Sequence, residues 1–65
     1  MEVTITEGVD AYFIEVERQD GTVEPTAVKT EQDVKVFLFH QGASPLLIEI
    51  VMKRLQDHGT ATVLL

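Results

Sequence analysis

The chain has 65 residues, the length of one small domain, and 45% of them are apolar, too many for a disordered chain. Cysteine is absent, which excludes disulfides and thiolate metal sites, and no apolar run approaches the roughly 18 residues of a membrane span. The net charge of −6 is concentrated in residues 1–33, where nine acids face only Arg18 and Lys29, so this half is ill suited to nonspecific phosphate binding.

Glu2-Val3-Thr4-Ile5-Thr6 alternates polar and apolar residues, the pattern of a strand with one buried face. Glu7-Gly8-Val9-Asp10 reads as a turn. Ala11–Arg18 is the strongest strand signal, with Tyr12, Ile14 and Val16 on one face and Ala11, Phe13, Glu15 and Glu17 on the other. Asp20-Gly21 predicts a tight primed hairpin turn, since both residues tolerate positive φ. The strand it leads into, 22–29, contains Pro25 and is therefore expected to be a short or irregular edge strand.

Thr30-Glu31-Gln32-Asp33 carries a cap and two acids at the positive end of a helix dipole, and Gly42 is a natural stop. The residues between, Val34–Gln41, are rich in β-branched and aromatic side chains that would also suit a strand. The caps favour a helix. Ser44-Pro45 opens a second helix with a capping hydroxyl and a proline where no N–H is needed. Lys53 and Arg54 suit its far half and Gly59 closes it. Thr60–Leu65 reads as a terminal strand. The expected fold is a single small α+β domain over 1–65. It has an antiparallel sheet of about four strands and two short helices on one face, in the order β-β-β-α-α-β.

The helical half holds more apolar side chains than one helical face can carry. Leu47, Ile48, Val51, Met52 and Leu55 form a stripe wide enough to dock the second helix, and Val34, Phe37 and Leu38 do so for the first. Val36 and Phe39 point away from the first stripe. Leu46 and Ile50 fall outside the second, toward Glu49, Lys53 and Asp57. Either the short loop Gly42-Ala43-Ser44 folds the helices together over these four, or they form a dimer seam. A domain near this size buries only about 60% of its unfolded surface and usually needs a support. With disulfides excluded, association is the expected one, and the chain is read as a homodimer with Val36, Phe39, Leu46 and Ile50 at its interface.

Signatures of chemistry are few. His40 and His58 each precede a helix-ending glycine, where imidazole can bond free carbonyls and complement the dipole. Neither has a partner at metal-ligand spacing. Ser44, the only serine, is accounted for as a cap. Glu15 and Glu17 share a strand face, a pairing more typical of a solvated acidic surface than of acid–base chemistry. The glycines form no phosphate-binding fingerprint, and a chain this short is expected to have little room for a cleft. No cofactor or metal is therefore expected.

Ser44-Pro45-Leu46-Leu47-Ile48, then Lys53-Arg54-Leu55, then His58-Gly59-Thr60-Ala61-Thr62 resembles the second helix and following strand of a winged helix-turn-helix. That resemblance implies a nucleic-acid-binding regulator using the 31–59 helix pair. However, the start of the would-be recognition helix, Leu46-Leu47-Ile48-Glu49, offers no base-reading side chain, and the net charge opposes it. The sequence thus favours a noncatalytic acidic interaction protein that pairs with itself and can offer its Glu15/Glu17 face to a basic protein. Nucleic acid and membrane are not expected partners. The two alternatives are the nucleic-acid regulator and a small enzyme whose active site forms between subunits. Met1-Glu2-Val3-Thr4 has no basic region and no apolar run behind it, unlike a signal peptide, and the expected location is cytoplasmic.

Overall fold

The computed structural model describes residues 1–65. The alternating N-terminal segment forms β1 (Glu2–Glu7) and the strongest strand signal forms β2 (Tyr12–Glu17). They pair antiparallel from Glu2↔Glu17 to Glu7↔Tyr12. The turn between them closes with the Gly8 N–H donating to the Ala11 carbonyl at 2.8 Å. Gly8 is fixed by space: a Cβ there would stand 2.5 Å from Phe13 Cε2 and 2.9 Å from the Ala11 oxygen.

The second hairpin is not the tight primed turn expected from Asp20-Gly21. Arg18 N–H donates to the Thr22 carbonyl and Gly21 N–H to the Arg18 carbonyl, both at 2.9 Å, so the loop is three residues long. A type I′ turn needs two central residues at positive φ, and here only Gly21 (φ +88°) enters that region. Asp20 instead uses its carboxylate, accepting from the Thr22 N–H at 3.0 Å and hydroxyl at 2.7 Å.

The proline-bearing segment forms a regular edge strand, β3 (Val23–Val28), in unbroken register with β2 from Tyr12↔Val28 to Glu17↔Val23. Because Arg18 and Thr22 are a hydrogen-bonded pair, the alternation of an antiparallel ladder puts Glu15↔Pro25 in a non-bonded position. The missing N–H of Pro25 therefore faces away from β2, and the strand has no reason to distort.

Residues 31–40 are helical, as the caps indicated: α1 (Glu31–His40) begins where Thr30 Oγ1 accepts from Asp33 N–H at 3.1 Å. Its C-terminus is a Schellman closure. Ala43 N–H donates to the Leu38 carbonyl and Gly42 N–H to that of Phe39, each at 3.0 Å, with Gly42 at φ +95°. The buried Ala43 joins the same core as Leu38. In α2 (Pro45–His58), Ser44 Oγ accepts from Leu47 N–H at 3.2 Å and Gly59 ends the helix at φ +75°. β4 (Thr60–Leu64) then pairs antiparallel with β1, giving the strand order β3-β2-β1-β4.

The fold is α+β, with element order β-β-β-α-α-β. The helical hairpin carries the chain across one face of the sheet from one edge strand to the other. The core lies between them: Val3, Ile5, Ile14, Val16, Ala61 and Val63 from the sheet meet Val34, Leu38, Val51 and Leu55 from the helices. α2 packs chiefly on β4, next against α1, and least on β1. The docking stripe is narrower than the periodicity suggested, because Leu47, Ile48, Met52 and Phe37 are only half-buried at its margins.

Candidate interaction surfaces

The four surplus apolar residues are all exposed: Val36 by 43%, Phe39 by 64%, Leu46 by 68% and Ile50 by 42%. The helices do touch, yet their contact leaves these side chains uncovered. They do not form one patch. Val36 and Phe39 line a groove between α1 and α2, together with Ile48 and Met52. Leu46 and Ile50 are not part of it. Glu49, Lys53 and Asp57, their neighbours by helical spacing, do line it. With 100° between successive helical residues, Ile50 falls on the flank of α2 turned away from α1, and Leu46 lies between that flank and the outermost face.

The groove is open and holds about 860 Å³. The expectation that so short a chain has little room for a cleft is thus corrected. The helix pair leaves an open groove lined by residues of both helices, which a count of residues does not reveal. Its apolar floor is bordered by Glu31, Glu49 and Asp57 against Lys35 and Lys53, a nearly balanced rim.

The second surface is the face of the sheet that no helix covers. The registers set Leu64, Glu2, Glu17 and Val23 abreast in one row, Thr62, Thr4, Glu15 and Pro25 in the next, and Thr60, Thr6, Phe13 and Ala27 in the third. Glu15 and Glu17 are exposed on this face, as their alternation with Ile14 and Val16 requires. Glu2 was not singled out from the sequence and stands directly opposite Glu17, with Glu15 on the diagonal. Like charges opposed across a ladder are mildly destabilising. No lysine or arginine stands in these rows to offset them. Thr4 and Thr62 join β1 to β4 through their hydroxyls, 3.2 Å apart.

The titratable groups with displaced pKa values lie elsewhere. Hydrogen bonds from Thr22 hold the Asp20 carboxyl below its ordinary 3.8. The hydrogen bond from Arg18, followed by its charge, holds Glu24 below 4.5. Arg18 Nε and Glu24 Oε1 are 2.9 Å apart, both exposed at the hairpin end of the face that carries Val16. Partial burial, then the charges of Glu31 and Glu7, raises Tyr12 above 10.0.

The two histidines stand exposed at the ends of different helices. They do not bond the terminal carbonyls as expected; at the end of α1 the amides of Gln41, Gly42 and Ala43 take the Phe37, Phe39 and Leu38 carbonyls, and at the end of α2 Gly59 takes that of Leu55. No three His, Cys, Asp or Glu side chains converge as a metal site. Ser44 is held by its capping bond, and Glu15 and Glu17 lie on a flat face rather than in the groove. Lys53 borders the groove and Arg54 does not, so the two cations of α2 point different ways. No helix is long and apolar enough to cross a membrane. Comparison with known protein families, with curated proteins and with solved structures finds no match to this chain.

Proposed function

We propose that this chain is a noncatalytic interaction protein that works as a homodimer and presents its uncovered acidic sheet face to a basic partner. The observation that carries the reading is the exposure of Val36, Phe39, Leu46 and Ile50 on an otherwise well-capped, well-packed subunit. Scattered apolar residues are normal on any surface, but four large ones on one helical pair supply area for association. The noncatalytic part rests on the use already made of the reactive side chains: the only serine is a cap and the acid pair is solvated.

Light scattering between about 1 and 100 μM is the test of self-association. A mass twice the 7.3 kDa of one chain is expected, and 7.3 kDa at every dilution would overturn the dimer. The acidic face has its own test. Capture of a basic protein such as a histone is expected to weaken as salt rises, and to weaken further in an E2Q/E15Q/E17Q variant. Binding that ignores both salt and these substitutions would remove the sheet face from the reading.

A further inference from the structure

The two margins of the sheet are built differently. Along the free margin of β3 the outward-turned backbone belongs to Val23, Pro25 and Ala27, and the proline deletes the central donor. Glu24 and Lys29 add charge to that segment. It is a margin protected in the way that keeps sheets from joining edge to edge.

The β4 margin has no such protection. Leu65 N–H donates to the Met1 carbonyl and Glu7 N–H to that of Gly59, both at 2.8 Å. In the same register Ala61 and Val63 bond to β1. Thr60, Thr62 and Leu64 therefore turn their N–H and C=O groups away from the sheet, with no strand beyond. Thr60–Leu65 contains no proline and no charged side chain. Above it lies α2, whose groove-lining side faces α1; helical spacing places Ile50, with Arg54 one turn on, on the opposite flank toward the free margin, and Leu46 above it.

We propose that β4 pairs antiparallel with β4 of a second copy, across a two-fold axis through Thr62, so that two four-stranded sheets become one of eight strands. This rests on the self-association reading and names its seam. A register centred on Thr62 uses all six outward backbone groups: Thr62 faces the partner's Thr62, and Thr60 faces the partner's Leu64. On the helix-covered face, small Ala61 meets the branched Val63 of the partner subunit. On the open face Leu64, 75% exposed in one subunit, gains a neighbour.

The helices fit the same arrangement. α2 packs on β4 and β1, so its axis lies about one strand spacing from the seam. The two copies of α2 then run about 10 Å apart, the distance at which helices pack, with Ile50 between them and Leu46 toward the ends. Among the strand residues, electrostatics favours this seam over the open sheet face. It brings no charged strand residue against its copy, whereas a seam on the open sheet face would oppose Glu2, Glu15 and Glu17 to themselves.

Because the chain has no cysteine, Thr62→Cys creates a single thiol. In the proposed register it faces its own copy across a hydrogen-bonded pair with Cα atoms about 5.5 Å apart, inside the span of a disulfide. Mild oxidation is expected to give a covalent dimer of T62C, and none of Phe39→Cys, whose thiol would sit in the groove. Amide exchange of the unmodified chain is the second readout. Exchange at Thr60, Thr62 and Leu64 is expected to slow at least about tenfold from 1 to 100 μM, and to stay fast in an Ile50→Glu variant that remains folded by circular dichroism. If light scattering shows a dimer in which these three amides exchange freely, self-association stands and this seam is overturned. A monomer at every concentration overturns both.

Discussion

Leu38 and Phe39 are adjacent on α1 and have opposite surroundings: Leu38 is fully buried, Phe39 is 64% exposed. Truncating each to alanine tests the fold quantitatively. A chain of 65 residues has a stability of about 3–10 kcal/mol at typical per-residue values. Leu38→Ala leaves a cavity between α1 and the sheet, which costs about 2–5 kcal/mol. It also removes the side chain beside Ala43 in the Schellman closure, so the penalty belongs in the upper part of that range. Roughly 40% or more of the total stability is then lost. With a urea m-value near 1 kcal/mol/M, the midpoint should fall by about 4 M, or the variant should be unfolded in water. Phe39→Ala creates no cavity in an isolated subunit and should cost under about 0.5 kcal/mol. The assay is urea unfolding followed by circular dichroism, at the lowest usable concentration so that dimerisation adds little. The core assignment fails if Leu38→Ala unfolds within 1 kcal/mol of the parent, or if Phe39→Ala costs as much as Leu38→Ala.

The glycines should divide by mechanism. A Cβ at Gly42 or Gly59 would meet nothing within 4 Å, so alanine there pays only for positive φ, about 1 kcal/mol net in a thermal or urea melt. Gly8→Ala instead drives a Cβ into the Phe13 ring and the Ala11 carbonyl, with an expected cost of about 1–3 kcal/mol that Phe13→Leu relieves in part. Equal costs at Gly8 and Gly42, with no relief from Phe13→Leu, would contradict this division. Acid should weaken the second hairpin. Asp20 and Glu24 have folded pKa values below their ordinary 3.8 and 4.5, so their contribution is complete above those values and is lost as pH falls through the lower folded ones. Both groups are solvent-exposed, so the effect is small. Its signature is a shallower acid-side fall in melting temperature for Arg18→Gln, and an acid limb identical to the parent's would refute the pairing.

Local signals in the chain were sufficient for the elements. Thr30, Gly42, Ser44-Pro45 and Gly59 each act within one helical turn, so they are legible without knowledge of the rest of the fold, and they outweighed the strand-like content of Val34–Phe39. Alternation likewise assigned the faces of β1 and β2, because side-chain direction in a strand has a period of two whatever it packs against. The hairpin at Asp20-Gly21 was read less well. Its loop length depends on which residues of two strands exchange bonds, and that is a property of the pair.

Placement between elements was decided only by the tertiary structure. Glu2 becomes part of the acidic face because the β1–β2 register sets it opposite Glu17. Val36 and Phe39 separate from Leu46 and Ile50 because α1 lies beside one flank of α2 and leaves the other flank over the free margin of β4. The difference between the two sheet margins was half visible, since Pro25 announces a protected edge. That Thr60–Leu64 forms the opposite edge follows from β4 returning to pair with β1. Hydrophobic periodicity says which side of an element is buried. It carries no information on which neighbour buries it, because the hydrophobic effect is non-directional and the choice of neighbour is made by the whole chain at once.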